Sequence, residues 1–307
     1  MTARLGEVPS GCRERLIAHY GPSVEDWLAR APSHIVEAAR RWEVALSGYH
    51  DAGHASAIAV GTALDGSPVI LKAWVDPVRY RHELAALRAW AGGPAAGVVA
   101  AADDLAVAAL TQIGGRPGGA GRPERESQRV AAVIQELHTL ARRRPGSAVP
   151  SLADFLHEVV VPRVRHRART LNLGASGDLV EMACRGLGNL CEDTTRRTVL
   201  HADLYGENVI FDGHGHPCLI DPHPMLGDAV FDWAFWTVHY DLQEGLAGRL
   251  ATAARISHIP VPEITPWCRA LAVDGLLYYM EIDDPARPKI RRVLSALMSA
   301  DVGGQGR

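Results

Sequence analysis

Residues 199–234 read VLHADLYGENVIFDGHGHPCLIDPHPMLGDAVFDWA, with five aspartates, four histidines and one asparagine set among apolar residues. That polar density has two chemical readings. His214, His216, Cys218, Asp221 and His223 could ligate a transition metal, or Asp203, Asn208 and Asp221 could serve phosphoryl transfer. Zinc sites of the finger type need recurrent C-x-x-C or H-x-x-x-H spacing, which is absent here. The oxygen donors fit the second reading better. One carboxylate and one amide oxygen suit magnesium, a hard cation that keeps water and substrate phosphates in its shell. A second carboxylate, not tied to metal, can take the proton of an acceptor hydroxyl.

The local pattern supplies the scaffold. TVLHAD reads as a strand entering a loop, and NVIF–DGHGHP–CLID reads as a hairpin. The hairpin places Asn208 and Asp221 together at its open end, with His214 and His216 in the turn at the far end. Upstream, residues 10–41 read as short helices, with Ser23 and Ser33 as starts. Residues 42–113 alternate as strands around one helix, DPVRYRHELAALRAWA, with Pro77 in its first turn. Residues 114–127, GGRPGGAGRPERES, form a Gly/Pro-rich joint, and the rest is mainly helical. The expected organisation is therefore an N-terminal helical segment (1–41), a strand-rich lobe (42–113), the joint (114–127) and a helical lobe (128–307).

The chain has 307 residues, is 47% hydrophobic and carries a net charge of −3, which suits a globular protein rather than a nucleic-acid or membrane-surface binder. No stretch approaches the ~20 apolar residues of a membrane span, and the start lacks the apolar core of a signal peptide. Five cysteines with no recurrent spacing point to reduced thiols and a cytoplasmic location. No obligate protein partner is inferred. Lysine occurs only at 72 and 289, against thirty arginines. A lysine retained between VIL and AW in a strand needs a charge partner or a ligand.

HADLYGEN matches the H-x-D-x-x-x-x-N pattern of kinase catalytic loops, and LIDPHPMLGDAVFDWA is similar to the metal-binding segment of the aminoglycoside phosphotransferase family. With LRAW at 87–90, the chain most resembles the streptomycin 6-phosphotransferase and hydroxyurea phosphotransferase branch, over about residues 42–290. The resemblance implies a protein-kinase-like α+β fold of two lobes and transfer of a γ-phosphoryl group from ATP or GTP, with Mg, to a small-molecule hydroxyl of the streptomycin type. It implies Asp203 as the base, Asn208 and Asp221 as metal ligands, and Lys72 as the phosphate contact with Glu83 as its helix partner. It further implies adenine contacts to backbone near Gln112 and Ile113, and loop support from His201, Asp228 and Asp232. The chain departs from the family pattern at Tyr205, where a histidine is common, at Glu207, where glycine is common, and in SGYHDAGHAS, which lacks a full G-x-G-x-x-G.

Three further readings complete the set. Glu281, Asp283 and Asp284, in YYMEIDD, are the expected acceptor contacts, set against the plain reading of surface acids at a helix end. The basic run RVRHRART (163–170) reads as a solvated helix face, since no aromatic lies within it to stack on RNA. The alternatives to the antibiotic kinase are a kinase of another metabolite, such as hydroxyurea, an amino alcohol or a sugar, and a non-catalytic nucleotide-binding module.

Overall fold

A computed structural model of the chain describes residues 5–51, 53, 55–115, 122–143, 148–172, 177–189, 194–243 and 245–299. The chain divides into two compact units, 1–114 and 115–307. Most of the Gly/Pro stretch, residues 116–121, lies outside the described residues.

The N-terminal unit is a five-stranded antiparallel sheet with helices. Its elements are α1 (Ser10–Tyr20), α2 (Glu25–Arg41), β1 (Ala45–His50), β2 (Ser56–Thr62), β3 (Pro68–Trp74), α3 (Pro77–Ala89), β4 (Val98–Ala102) and β5 (Val107–Thr111). The strand order is β1-β2-β3-β5-β4. Side chains alternate across a strand, so Val69, Leu71 and Ala73 of β3 face one way and Lys72 and Trp74 the other. The first set joins Leu16, Leu28, Ala31, Ile35 and Ala38 of the two N-terminal helices in one core. Residues 5–41 therefore cover one face of the sheet and belong to its core.

Two local expectations fail here for physical reasons. The predicted helix start at Ser33 is absent, because α2 runs unbroken through Pro32. Its buried stripe, Leu28, Ala31, Ile35, Ala38, keeps helical spacing across the proline, and burial of each large side chain stabilises by ~1.5–3 kcal/mol, comparable to the ~3 kcal/mol interior proline penalty. Ser33 donates to Arg30 O at 2.7 Å and caps nothing. Ser23 likewise donates back to Tyr20 O at 3.4 Å, inside a single 3-10 turn that leads into α2.

The C-terminal unit comprises α4 (Glu126–Arg142), α5 (Leu152–Phe155), which continues through one π turn into α6 (Val161–Thr170), α7 (Gly177–Asn189), β6 (Arg197–Leu200), β7 (Val209–Phe211), β8 (Pro217–Leu219), β9 (Met225–Asp228), α8 (Val230–His239), α9 (Leu246–Ser257), α10 (Val261–Glu281) and α11 (Arg287–Ser299). Every residue of α8 is buried, and α10 packs against α6, α7, α8, α9 and α11. The hairpin expected at 208–221 is the antiparallel pair β7–β8. A second pair, β6–β9, brackets it, with Leu200 opposite Met225. Among the described residues, no helix is long and apolar enough to cross a membrane.

Candidate active site

The loop after β6 is held from below by one buried carboxylate. Asp232, in the first turn of α8, accepts from His201 N at 2.9 Å, from Ala202 N at 2.8 Å and from His138 Nε2 at 2.8 Å. Ala202 has φ +56°, a left-handed conformation unfavourable for a residue with a Cβ. The bond to Asp232 offsets that cost and turns the chain so that Asp203 follows. His201 is buried and donates from Nε2 to Ile220 O at 3.0 Å; burial pushes its pKa down to about 4, so the ring is neutral. Its carbonyl accepts from His223 N at 2.9 Å. The loop is thereby tied to the segment after β8 on both sides of His201.

Asn208 completes the frame. Its Nδ2 donates to Asp203 O at 2.7 Å and to Asp203 Oδ2 at 2.8 Å. Both bonds require the amide nitrogen to face Asp203, which turns the amide oxygen the other way. The Asn208 carbonyl accepts from Ile220 N at 3.0 Å, so Asp221 lies one residue beyond the pairing at the same end of the hairpin. Asp221 has φ +52°, which aspartate tolerates better than most residues. An amide oxygen and a carboxylate at one hairpin end are hard donors that fit magnesium. Among the described residues, no three His, Cys, Asp or Glu side chains come together as a metal site. His214 and His216 lie at the hairpin turn with Asp212, as their position in the sequence predicts.

Asp228 has a different job from its neighbour. It accepts from Arg196 Nε at 3.1 Å and Nη2 at 3.0 Å, from Thr194 Oγ1 at 2.6 Å and from Val230 N at 2.9 Å. Burial alone would raise its pKa, but these donors outweigh burial and hold it below the usual carboxylate range. It fixes the approach to β6 and the start of α8 and does not touch the 201–208 loop backbone.

In the N-terminal unit, Lys72 and Glu83 meet as an ion pair at 2.6 Å, with side chains 5% and 2% exposed. Trp74 Nε1 donates to the second oxygen of Glu83 at 2.7 Å, and the Lys72 ammonium sits 4.9 Å from the Trp74 ring centre. β3 and α3 supply these groups. At the end of β5, Gln112 N already donates to Pro68 O at 3.2 Å, which leaves the Gln112 carbonyl and Ile113 as the backbone to consider for base contacts.

A pocket of about 260 Å³ opens in the C-terminal unit beside Asp203. Tyr205, Phe235 and His239 pack as a ring cluster on one wall, with centroids 4.7–5.4 Å apart. Gly275 lets α10 approach this cluster, since a Cβ there would lie 2.7 Å from His239 Cε1. The α10 wall is Leu271, Asp274, Gly275, Tyr278 and Tyr279. Glu281, Asp283 and Asp284 are not in that wall. Glu281 accepts from Arg167 Nε at 2.8 Å, Asp283 is 88% exposed beside Arg287, and Asp284 accepts from Ala286 N at 2.6 Å. The reason is helix length: α10 ends at Glu281, so the two aspartates follow the helix instead of facing inward from it.

The run 163–170 also departs from its expected solvated face. Arg163 and Arg167, one helical turn apart, both line the pocket and both bind Asp274. Their i, i+4 spacing, and a single acid inside the apolar run RALAVDGLLYYM, were the available signals. His138 carries no comparable local signal, for it lies 94 residues from its partner Asp232.

Within the C-terminal unit the arrangement offers a carboxylate beside a pocket and hard oxygen donors at the adjoining hairpin end; the N-terminal unit separately holds a buried lysine–glutamate pair. Residues 41–259 match the family described as aminoglycoside/hydroxyurea antibiotic resistance kinase. Streptomycin 6-kinase of Streptomyces griseus is 27% identical over 239 residues, covering 73% of this chain and 72% of that protein. Streptomycin 6-kinase of Streptomyces glaucescens is 24% identical over 250 residues, covering 75% and 74%. A crystal structure of a putative fructosamine-3-kinase from Thermobifida fusca superposes with a TM-score of 0.61 at 18% identity, over 87% of this chain and 97% of that one. A thermostable aminoglycoside phosphotransferase APH(4)-Ia mutant, in ternary complex with AMP-PNP and hygromycin B, gives 0.60 at 16% identity, over 88% and 99%. These solved structures show the kinase-like fold, and the family match over most of the sequence makes the chain a member of the aminoglycoside/hydroxyurea antibiotic resistance kinases.

Proposed function

We propose that the enzyme transfers the γ-phosphoryl group of ATP to a hydroxyl of an aminoglycoside-type antibiotic resembling streptomycin, and so confers resistance or self-protection. The observation that carries this reading is the bonding of Asp203 by Asn208 beside the pocket. The Asp203 carboxylate orients the acceptor hydroxyl and takes its proton as the new O–P bond forms and the bond from the γ-phosphorus to the β–γ bridging oxygen breaks, releasing ADP. The Asn208 amide hydrogen bonds hold that carboxylate in place and keep the amide oxygen on its other side. Asn208 and Asp221 are the residues that hold magnesium, which when bound neutralises charge on the phosphates. Lys72, oriented by Glu83 and Trp74, is the cation for the α- and β-phosphates. The Gln112 carbonyl and Ile113 are the backbone offered to the base, a mode that also admits GTP. Cys12, Cys184, Cys218 and Cys268 are free thiols, which supports a reducing, cytoplasmic setting.

The test is nucleoside-triphosphate consumption with magnesium across streptomycin, other aminoglycosides, hydroxyurea, amino alcohols and sugars. Stimulation by streptomycin, with a phosphorylated product seen by mass, is expected. Stimulation only by a non-antibiotic metabolite would replace the substrate, and nucleotide binding without turnover on any acceptor would leave a binding module.

A further inference from the structure

Asp274 holds two guanidinium groups at once. Its Oδ2 accepts from Arg163 Nη2 at 2.6 Å and its Oδ1 from Arg167 Nη1 at 3.1 Å. The two arginines are not held alike. Arg167 also donates from Nε to Glu281 at 2.8 Å, lies 5.1 Å from the Tyr278 ring centre and is 11% exposed. Arg163 is 36% exposed, and its Nε is buried with no hydrogen-bond partner among the described residues. One guanidinium is built into the wall. The other is satisfied through one edge only, and its fork does not match the site.

We propose that Asp274 is the docking carboxylate for a guanidinium or ammonium group of the acceptor, and that Arg163 is an internal stand-in which the acceptor displaces. This rests on the kinase reading, because Asp203 lines the same pocket. The Tyr205 phenol links the two ends. It lines the pocket together with Asp203 and Asp274, and burial first, then the charges of Asp203, Tyr279 and Asp274, push its pKa up. An acceptor spanning Tyr205 presents its hydroxyl to Asp203 and its cation to Asp274. The exchange conserves charge in the pocket: one cation leaves Asp274 for solvent as another arrives. A neutral acceptor cannot make that exchange. Arg163 therefore weakens the binding of cationic acceptors, a sign opposite to that of an ordinary structural or binding residue.

The experiment is calorimetric titration of streptomycin, which carries guanidino groups, and separately of methylguanidinium, into the full-length protein and its Arg163→Gln and Asp274→Asn variants. Arg163→Gln is expected to tighten Kd three- to tenfold, and Asp274→Asn to weaken it at least tenfold. If Asp274→Asn does not fold, the sign of the Arg163→Gln effect decides alone. An unchanged or weaker Kd in Arg163→Gln overturns the proposal, as does failure of both compounds to bind either wild type or that variant. Streptomycin phosphorylation with no tightening in Arg163→Gln removes the docking assignment and leaves the kinase reading intact. Tightening without turnover on any acceptor removes the kinase reading and leaves the docking site.

Discussion

Lys72 and Glu83 meet side chain to side chain inside the N-terminal unit, whereas Asp232 in the C-terminal unit commits its carboxylate mainly to backbone N–H groups. Both arrangements bury charge, and they buffer different things. The first balances two ions held on a strand and a helix, so its loss is felt as stability. The second holds a loop in an unfavourable conformation, so its loss is felt as misplacement of Asp203.

The comparison can be broken most severely at its chemical end. Asp203→Ala should lower turnover by at least ~10³-fold, within the range for a lost general base and its orienting bonds. Magnesium-nucleotide affinity should stay within about threefold of wild type, as read by thermal shift titration; these bounds follow from treating the residue as acting on the acceptor. Undiminished turnover would remove Asp203 from the mechanism.

The ion pair comes next. Lys72→Met removes the cation that balances buried Glu83 and should cost ~3–5 kcal/mol in urea unfolding. Combining it with Glu83→Gln keeps an acceptor for Trp74 Nε1, and should recover most of that stability while turnover stays lost. A double variant no more stable than the single one would show that charge balance is not what holds this site.

Asp232→Asn tests the other half. One of three donors loses its acceptor, a cost of ~1–3 kcal/mol. If the strain appears as displacement of Asp203, kcat falls about ten- to hundredfold with KM nearly constant. A change confined to melting temperature would make Asp232 a fold residue only.

The mildest test is acidity. Burial pushes the pKa of both His201 and His239 down to about 4, against ~6.5 when unfolded. Between those values the unfolded chain binds protons that the folded one refuses, so stability falls as pH drops from about 6.5 towards 4. The slope reaches up to ~1.4 kcal/mol per pH unit for each histidine. His201 and His239 both lie in the C-terminal unit. Hydrogen exchange at pH 5 against pH 7.5, corrected for intrinsic rates, should therefore show loosening there before the N-terminal sheet. Earlier loosening of β2 and β3 would contradict it.

Much of this was legible in the sequence, for identifiable reasons. The strands of the N-terminal sheet declare themselves as short apolar runs separated by turn signals, and Lys72 by being a lysine among apolar residues in an arginine-rich chain. The loop and hairpin at 201–221 combine short-range turn signals with polar residues that have no other reason to be there. What stayed hidden depends on long-range contacts. β9, with Gly227 and Asp228 in four residues, has weak strand propensity and is fixed by its pairing with β6. Arg163, Arg167 and Asp274 look like ordinary helix charges until α6 and α10 are packed together, and their separation of 107–111 residues leaves no local trace. Pro32 misleads because propensity is a weaker force than the buried stripe around it.

The closure of residues 201–224 by the Leu200–Met225 pairing has a consequence for how such an enzyme can change. Asp203, Asn208 and Asp221 share one short, stapled stretch of chain, while much of the pocket wall beside it comes from α6, α8 and α10. A mutation in α6 or α10 can alter which molecule is admitted without altering the spacing of the residues proposed to move phosphate. Chemistry is thus inherited as a block and selectivity is edited piecemeal, a division that lets a resistance enzyme follow a new antibiotic by substitutions remote from its most constrained segment.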